Sequence, residues 1–219
     1  MNFDRIIAVR NDKTVFRDSD RCLKVFNDGY SKADVLNEAL NQARLEETPL
    51  NVPKVLEVTV TDGKWTLVSE YIKGKTLAQM IKDEPDRKDE FITMLVGLQI
   101  ETQHTVCPGL VSLKEKISRN ICKTDLIATM RYDLHMRLEA MHRDNKVCHC
   151  DFEPSNIIIR DDGTPYIIDW SHAAQGDPPA DAARTYLRLF LDGDTDGAER
   201  YLEVYCEKSG VKKEQIEKW

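Results

Sequence analysis

Residues 148–156 form the stretch Cys-His-Cys-Asp-Phe-Glu-Pro-Ser-Asn, whose polar side chains point to two different chemistries. The thiols of Cys148 and Cys150 flank an imidazole, and sulfur and nitrogen are the ligands that zinc prefers. The carboxylate of Asp151 and the amide of Asn156 offer oxygen instead, which is the ligand that magnesium prefers. The rest of the chain has to decide between these two interpretations.

The cysteine pattern gives little support to a zinc site. The chain has six cysteines, and no two of them have the C-x-x-C spacing that is common in such sites. A fourth ligand would have to come from outside the stretch, for example from His142 or His172. A disulfide framework is not expected in a chain of this size without a secretion signal. We therefore expect most of the cysteines to be reduced and to fill small apolar spaces.

The composition is that of an acidic globular protein. Of the 219 residues 41% are hydrophobic and 32% are charged, and the formal net charge is −7. Proteins that bind nucleic acid by neutralising phosphates are usually basic, so no nucleic-acid partner is expected. No apolar run approaches the length of a membrane span, and no signal peptide is recognisable. We therefore expect a cytoplasmic protein that does not associate with a membrane.

The first 72 residues have the pattern of a small sheet that carries one helix. Short apolar segments bounded by polar turns predict strands at residues 6–9, 14–16, 22–26, 55–60 and 65–70. Ser31 is a candidate N-cap for a helix between the third and the fourth strand. The apolar positions at three-to-four spacing that predict this helix are Val35, Leu36, Ala39, Leu40 and Ala43.

From Thr76 onward the pattern is mostly helical, and the apolar spacing predicts four helices before residue 143. A hairpin follows, with strands at residues 156–160 and 165–169 around a turn that contains Gly163. Helices resume at about Asp181 and continue to the end of the chain. The sequence therefore predicts an α+β fold with two lobes, a sheet-rich lobe at residues 1–72 and a helical lobe at 73–219.

Two motifs connect this chain to a known family. His149, Asp151 and Asn156 have the spacing H-x-D-x-x-x-x-N, and Asp169 follows thirteen residues later in the segment I-I-D-W. In this order, on these elements, the motifs resemble the protein-kinase-like fold, and specifically the aminoglycoside phosphotransferase and choline kinase superfamily. The resemblance covers nearly the whole chain and implies a bilobal fold, with a small antiparallel sheet in a nucleotide-binding N-terminal lobe and the substrate site in the helical lobe. It implies an enzyme that uses ATP and Mg²⁺ to phosphorylate a hydroxyl group of a small molecule, such as an aminoglycoside, a choline-like alcohol or a sugar.

The resemblance implies a role for each residue of these motifs. Asp151 would orient the acceptor hydroxyl and accept its proton, and His149 would hold the loop. Asn156 and Asp169 would bind the magnesium ions that bridge the phosphates, because the hairpin brings their strand ends together. Asp181 completes a G-D-P-x-x-D motif and would brace the catalytic loop through backbone hydrogen bonds.

The nucleotide-binding residues are assigned from the same resemblance. Lys24 lies among apolar residues on the predicted third strand and resembles the lysine that contacts the α- and β-phosphates. Glu38, on the helix that follows, would be its partner. Residues 67–72 resemble the hinge between the lobes, where backbone groups of Glu70 and Ile72 would hydrogen-bond the adenine. Apolar walls for the base are expected from Val15, Cys22, Ile158 and Ile168.

Three departures from the family pattern keep two other functions open. The turn at residues 10–14 has no glycine, although a glycine-rich loop lets backbone amides approach the phosphates. Cys150 stands where the family usually has glycine, and Glu153 where it often has histidine. These departures motivate a second hypothesis, a nucleotide-binding pseudokinase. A third is a kinase that acts on protein or RNA, but the six residues 171–176 leave little room for an activation loop.

Overall fold

The computed structural model of the protein describes residues 5–10 and 12–219, so the predicted turn at residues 10–14 includes one residue, Asn11, that lies outside the described part. The chain forms two compact units. One comprises the chain up to Leu77 together with Ser155–Ser171, and the other comprises Ala78–Pro154 and His172–Trp219. The functional lobes expected at residues 1–72 and 73–219 stay a prediction.

The described residues contain both helices and strands, and the predicted α+β class is confirmed. The strands are β1 (Arg5–Val9), β2 (Lys13–Asp18), β3 (Arg21–Phe26), β4 (Val55–Thr61), β5 (Lys64–Glu70), β6 (Gly74–Thr76), β7 (Lys146–Cys148), β8 (Ile157–Arg160), β9 (Pro165–Ile167) and β10 (Ala174–Gly176). The helices are α1 (Lys32–Glu46), α2 (Leu77–Asp83), α3 (Lys88–Gln103), α4 (Leu113–Cys122), α5 (Ala128–Ala140), α6 (Pro178–Leu191), α7 (Thr195–Ser209) and α8 (Lys213–Glu217).

The first unit is built on an antiparallel sheet of five strands in the order β1-β2-β3-β5-β4. Helix α1 packs on β4 and β5. Its predicted N-cap is confirmed, since the Ser31 hydroxyl accepts a hydrogen bond of 3.1 Å from the Asp34 N–H. The cap fixes where the helix begins and hence which of its side chains face the sheet.

The face that α1 buries differs from the apolar stripe that the sequence predicts. Leu36 and Leu40 belong to that stripe, but their side chains are exposed. The helix instead buries polar residues that have partners inside the unit. Gln42 donates a hydrogen bond to the Pro53 carbonyl, and Glu38 pairs with Lys24. The helix is therefore oriented by polar contacts as well as by apolar packing.

The predicted hairpin is confirmed as β8 and β9, and β6 extends it to a three-stranded sheet in the order β6-β8-β9. The sequence analysis missed β6, since Lys73-Gly74-Lys75 has the composition of a break. Gly74 fits because its backbone lies so close to β8 that a Cβ atom would be 2.2 Å from the Ile159 carbonyl oxygen. This pairing places the segment that ends at Asp169 in the first unit.

The second unit is mainly helical. Helix α7 packs against both α3 and α6, and α4 packs against α5. Two short strands, β7 and β10, pair antiparallel. Strand β7 ends directly before His149 of the catalytic loop, and β10 ends at Gly176, the first residue of the G-D-P-x-x-D motif. None of the described helices combines the length and the apolar character that crossing a membrane requires.

Candidate active site

Asp169 is the centre of a charged cluster in the first unit. Its Oδ2 atom accepts a hydrogen bond of 3.0 Å from Lys13 Nζ, and its Oδ1 atom accepts one of 3.2 Å from Lys24 Nζ. The Ser171 hydroxyl donates to the same Oδ1 over 3.1 Å. The carboxylate that the sequence assigns to metal binding therefore faces two ammonium groups.

Strand and helix geometry bring Lys24 and Glu38 together, as the sequence predicts. Lys24 alternates with the buried Leu23 along β3, and it lies opposite Leu67 of β5, a residue of the core under α1. On this face of the sheet Lys24 Nζ donates to the carboxylate of Glu38. Glu38 is only 1% exposed, so the pair lies inside the unit and not on its surface.

The electrostatics of the cluster keep both partners charged. Burial disfavours the charged form of Lys24, but the carboxylates of Glu38 and Asp169 outweigh it and raise the lysine pKa above its ordinary value. Burial likewise opposes ionisation of Asp169, yet Lys24 and Lys13 together hold the pKa of that carboxyl well below its ordinary value. Asp169 is therefore a carboxylate throughout the physiological range.

Lys13 is a member of this cluster that the sequence analysis missed. It opens β2 next to the glycine-free turn, and its side chain is only 11% exposed. The sequence does contain one indication of a strand here, since Lys13 is followed by Thr14, Val15 and Phe16. In the structure this strand pairs with the strand of Lys24. Nothing in that pattern indicates contact with a residue 156 positions away.

Asn156 and Asp169 lie at neighbouring strand ends, as expected from the hairpin. The Ile168 N–H donates to the Asn156 carbonyl oxygen over 2.9 Å, and the side chain of Asn156 is largely buried. The fully buried Trp170 anchors the chain after Asp169, since its indole N–H donates to the Ile167 carbonyl over 2.9 Å. Carboxylate and amide oxygens are hard donors, so this pair fits a magnesium ion.

Asp169 has a backbone conformation that non-glycine residues rarely adopt. Its φ of 64° lies in the left-handed region, and Cys150 in the catalytic loop has a φ of 61°. Such backbone strain persists only where the surrounding contacts over-determine the conformation. Both residues belong to the motifs that the sequence singles out.

The residues expected around the base all belong to the first unit. The Glu70 N–H already donates to the Lys54 carbonyl over 2.9 Å, which leaves the carbonyl of Glu70 as its candidate group for adenine. Ile72 is buried, whereas Ile158 and Ile168 are partly exposed. Val15 lies directly opposite Lys24 in the sheet.

In the second unit, a buried carboxylate holds the catalytic loop. Asp181 is 1% exposed, and its Oδ1 atom accepts a hydrogen bond of 2.6 Å from the Cys150 N–H. Its Oδ2 atom accepts from the side-chain amides of Gln99 and Gln103 over 2.9 and 3.0 Å. The predicted contact of Asp181 with the loop backbone is present, and the two glutamines donate two further hydrogen bonds to its carboxylate.

A further layer of hydrogen bonds fixes the glutamines. The Tyr201 hydroxyl donates to Gln99 over 2.6 Å, and the Tyr205 hydroxyl donates to Gln103 over 2.7 Å. Sequence reasoning missed this network. Its signal is the pair of glutamines four residues apart on α3, where both lie on one face of the helix together with the buried Leu95 and Val96.

His149 and Asp151 are the first two motif residues of the catalytic loop. His149 is fully buried, and its Nδ1 atom accepts the Asp151 N–H over 3.2 Å, which agrees with a structural role for the imidazole. The Asp151 carboxylate lies 3.6 Å from the guanidinium of Arg184 on α6. Arg188, one turn further along α6, lies 3.5 Å from Glu153. Neither arginine was assigned from the sequence.

The two cysteines of the loop are poor candidates for metal ligands. Both thiols are buried, and burial raises the pKa of Cys150 to about 12, with the nearby Asp181 carboxylate adding to the effect. Burial also raises the pKa of Cys148 well above its ordinary value. Because the thiolate is the form that binds metal, these shifts oppose ligation by sulfur.

A known enzyme family matches part of the chain. Residues 114–216 match the sequence pattern of the phosphotransferase enzyme family APH. These residues include the catalytic loop and Asp169, but not Lys13, Lys24 or Glu38. No curated protein matches the chain at a significant level.

Solved structures of the same fold cover nearly the whole chain. A type VIII aminoglycoside-3'-phosphotransferase aligns with a TM-score of 0.70 over 98% of this chain and 90% of its own, at 19% identity. The choline kinase LicA from Streptococcus pneumoniae aligns with a TM-score of 0.59 over 100% and 80%, at 20% identity. The streptomycin–ATP–APH(2'')-IIa ternary complex aligns with a TM-score of 0.58 over 98% and 80%, at 19% identity. The predicted protein-kinase-like fold is confirmed.

Proposed function

We propose that the chain is a phosphotransferase of the aminoglycoside phosphotransferase and choline kinase superfamily, and that it uses ATP and Mg²⁺ to phosphorylate a hydroxyl group of a small molecule. The observation that carries the proposal is the pair of preorganised groups: Asp169 with its two lysines, and the catalytic loop with Asp181. A structural relative is described as a complex with ATP, which supports the choice of nucleotide.

Lys24 and Lys13 are the proposed phosphate-binding residues. Each carries an ammonium group that faces Asp169. Phosphate oxygens carry more charge than one carboxylate, so the lysines can contact them while Glu38 continues to hold Lys24. Lys13 adjoins the turn that lacks glycine, and its ammonium group would donate to the phosphates in place of the backbone amides of a glycine-rich loop.

Asn156 and Asp169 are the proposed magnesium ligands, since they offer an amide and a carboxylate oxygen from neighbouring strand ends. The bound ion would neutralise charge on the phosphates. The hydrogen bond from the Trp170 indole to the Ile167 carbonyl spans Asp169, and it would help to keep the left-handed backbone and the carboxylate of Asp169 in place.

Asp151 is the proposed base, which orients the acceptor hydroxyl and takes its proton. The network of Asp181, Gln99 and Gln103 holds the loop backbone before any substrate arrives, so little reorganisation is left for the reaction. Most of the catalytic effect would then come from positioning and from charge stabilisation.

The adenine is proposed to bind through the Glu70 carbonyl and the Ile72 N–H, with Ile158 and Ile168 as apolar walls. These residues extend the nucleotide site of the predicted N-terminal lobe, residues 1–72, to the hairpin. A cytoplasmic location stays a prediction from the sequence.

The substitution Asp151→Asn tests the proposal. It keeps the shape of the side chain but removes the base, so ADP release with an accepted substrate should fall by about a hundredfold or more. The shift in melting temperature that ATP and Mg²⁺ cause should persist. Full turnover by the variant would contradict the assignment of Asp151. ATP binding by the wild type without turnover on any alcohol, peptide or RNA would favour the pseudokinase instead.

A further inference from the structure

The second unit contains a cavity of about 700 Å³ between α4, α6 and the C-terminal segment. Its surface is mostly apolar, and Trp219 forms part of the wall. The indole N–H of Trp219 donates to Asp177 over 3.0 Å, which fixes the end of the chain at the cavity. The other main apolar lining residues are Leu113, Ile117, Ala180, Leu187 and Ile216.

The cavity adjoins the catalytic loop. Cys150 and Arg184 both line it, and Arg184 also lies 3.6 Å from the carboxylate of Asp151. A guanidinium has five N–H donors, so it can contact Asp151 and a second acceptor at once. A molecule bound in the cavity would therefore lie within reach of the proposed base.

The charged groups of the cavity are mostly positive. Lys116 lines it together with Arg184, and Lys116 Nζ donates to the His172 carbonyl over 2.6 Å. Among the described residues, no carboxylate forms an ion pair with Lys116, and Glu217 alone is acidic in the lining. Lys116 and Arg184 line the same cavity. Burial lowers the pKa of Lys116; interaction with Cys150 opposes this shift, and repulsion by Arg184 adds to it.

We propose that the acceptor of this enzyme is an alcohol that also carries a carboxylate. The carboxylate binds between Lys116 and Arg184, the apolar body lies against the walls near Trp219, and the hydroxyl points to Asp151. The inference rests on the proposed function, since it names the substrate class of the same site. An anion is favoured because two cationic side chains and a single carboxylate line the cavity, whereas a polyamine would add to the positive charge there.

Beyond the ATP and Mg²⁺ of the proposed function, the reaction needs only the alcohol. The hydroxyl oxygen forms a bond to the γ-phosphorus, and the bond from that phosphorus to the bridging oxygen of ADP breaks. The hydroxyl proton passes to Asp151 and then to solvent. The products are ADP and the phosphate ester of the hydroxy acid.

Three para-substituted benzyl alcohols that differ in charge test the substrate class: hydroxymethylbenzoate, hydroxymethylbenzamide and hydroxymethylbenzylamine. Their binding to the intact protein is measured by calorimetry, with intrinsic tryptophan fluorescence as a second signal. We expect the benzoate to bind about tenfold more tightly than the amide, and the amine to bind most weakly. In Lys116→Met the benzoate should lose about tenfold in affinity, while the amide keeps its own.

Lys123→Met is the matched control, because this exposed lysine just after α4 does not line the cavity. It should leave all three affinities unchanged. Equal binding of the three probes, or preference for the amine, would overturn the inference, as would a benzoate affinity that Lys116→Met leaves intact.

Turnover separates this inference from the proposed function. ADP release with the amine or with aminoglycosides, without any preference for anions, would overturn the substrate class and keep the phosphotransferase. Selective benzoate binding, with no ADP release from any hydroxy acid of a panel, would support the anion site and contradict the phosphotransferase.

Discussion

Two aspartates of this protein are held in place by different kinds of partner. Asp169, in the first unit, faces the ammonium groups of Lys13 and Lys24. Asp181, in the second unit, accepts hydrogen bonds from one backbone amide and the two neutral side chains Gln99 and Gln103. The first arrangement is ionic, and the second is a hydrogen-bond network.

The difference teaches what each aspartate is suited to do. An ion pair of partly exposed groups can exchange one partner for a charged ligand, because a phosphate or a metal ion replaces the lost interaction. A buried network of neutral donors has no such substitute, so it fixes one conformation of the loop. Asp169 is therefore suited to binding, whereas Asp181 is suited to holding Cys150 and its neighbours in place.

The largest effect is expected from the lysines of the ionic site. Lys24→Met should lower kcat/KM for ATP by about a hundredfold, and Lys13→Met by about tenfold. Each substitution removes one positive side chain that would contact the phosphates. Steady-state kinetics with varied ATP measures both. Lys73→Met, at an exposed lysine of the same unit, serves as the control. If Lys13→Met had no effect on KM, Lys13 would be a partner of Asp169 only.

The network of Asp181 should respond through stability. Asp181→Asn turns an amide donor toward either the Cys150 N–H or the two glutamine amides, so a donor faces a donor. We expect a loss of about 2–3 kcal/mol in the free energy of unfolding, measured by urea denaturation. Asp192→Asn, at the exposed end of the same helix, should cost far less. A fully stable Asp181 variant would show that the network does not hold the loop.

Low pH should reduce the contribution of Asp169 to stability, because the pKa of this carboxyl is lowered in the folded protein. Its folded pKa lies below its unfolded value of about 3.9, so the ionised form stabilises the fold above that pH. The stability is lost as the pH falls through the folded pKa. The difference in unfolding free energy between wild type and Asp169→Asn should therefore be constant near neutral pH and shrink below about pH 4. A difference independent of pH would argue against the ion pairs.

The smallest effect is expected at the loop cysteine. Cys150→Ala should change turnover less than about twofold and cost about 1 kcal/mol of stability, because it removes one buried sulfur and leaves the backbone bonds to Asp181 intact. Turnover and urea denaturation of the variant measure these quantities. Loss of activity together with loss of bound zinc would revive the metal interpretation of the C-H-C stretch.

Much of the site follows from local patterns. The spacing from Asp151 to Asn156, and the hairpin that leads to Asp169, are short-range features that turn and strand chemistry dictate. Lys24 was found because it alternates with apolar residues on a predicted strand and resembles the phosphate-contacting lysine of the family. The buried face of α1 was predicted in part incorrectly, since the pattern favoured Leu36 and Leu40 whereas the structure buries polar residues that have partners.

The sequence by itself determined the five strands and the helix of the first 72 residues, the hairpin, the motifs and the class of enzyme that they resemble. The tertiary structure alone decided that Lys13 reaches Asp169, that Gln99 and Gln103 surround Asp181, and that Lys116 and Arg184 share one cavity. The physical reason is the separation along the chain between the residues that interact. A motif is fixed by the geometry of a few successive residues, whereas these contacts depend on how distant elements pack.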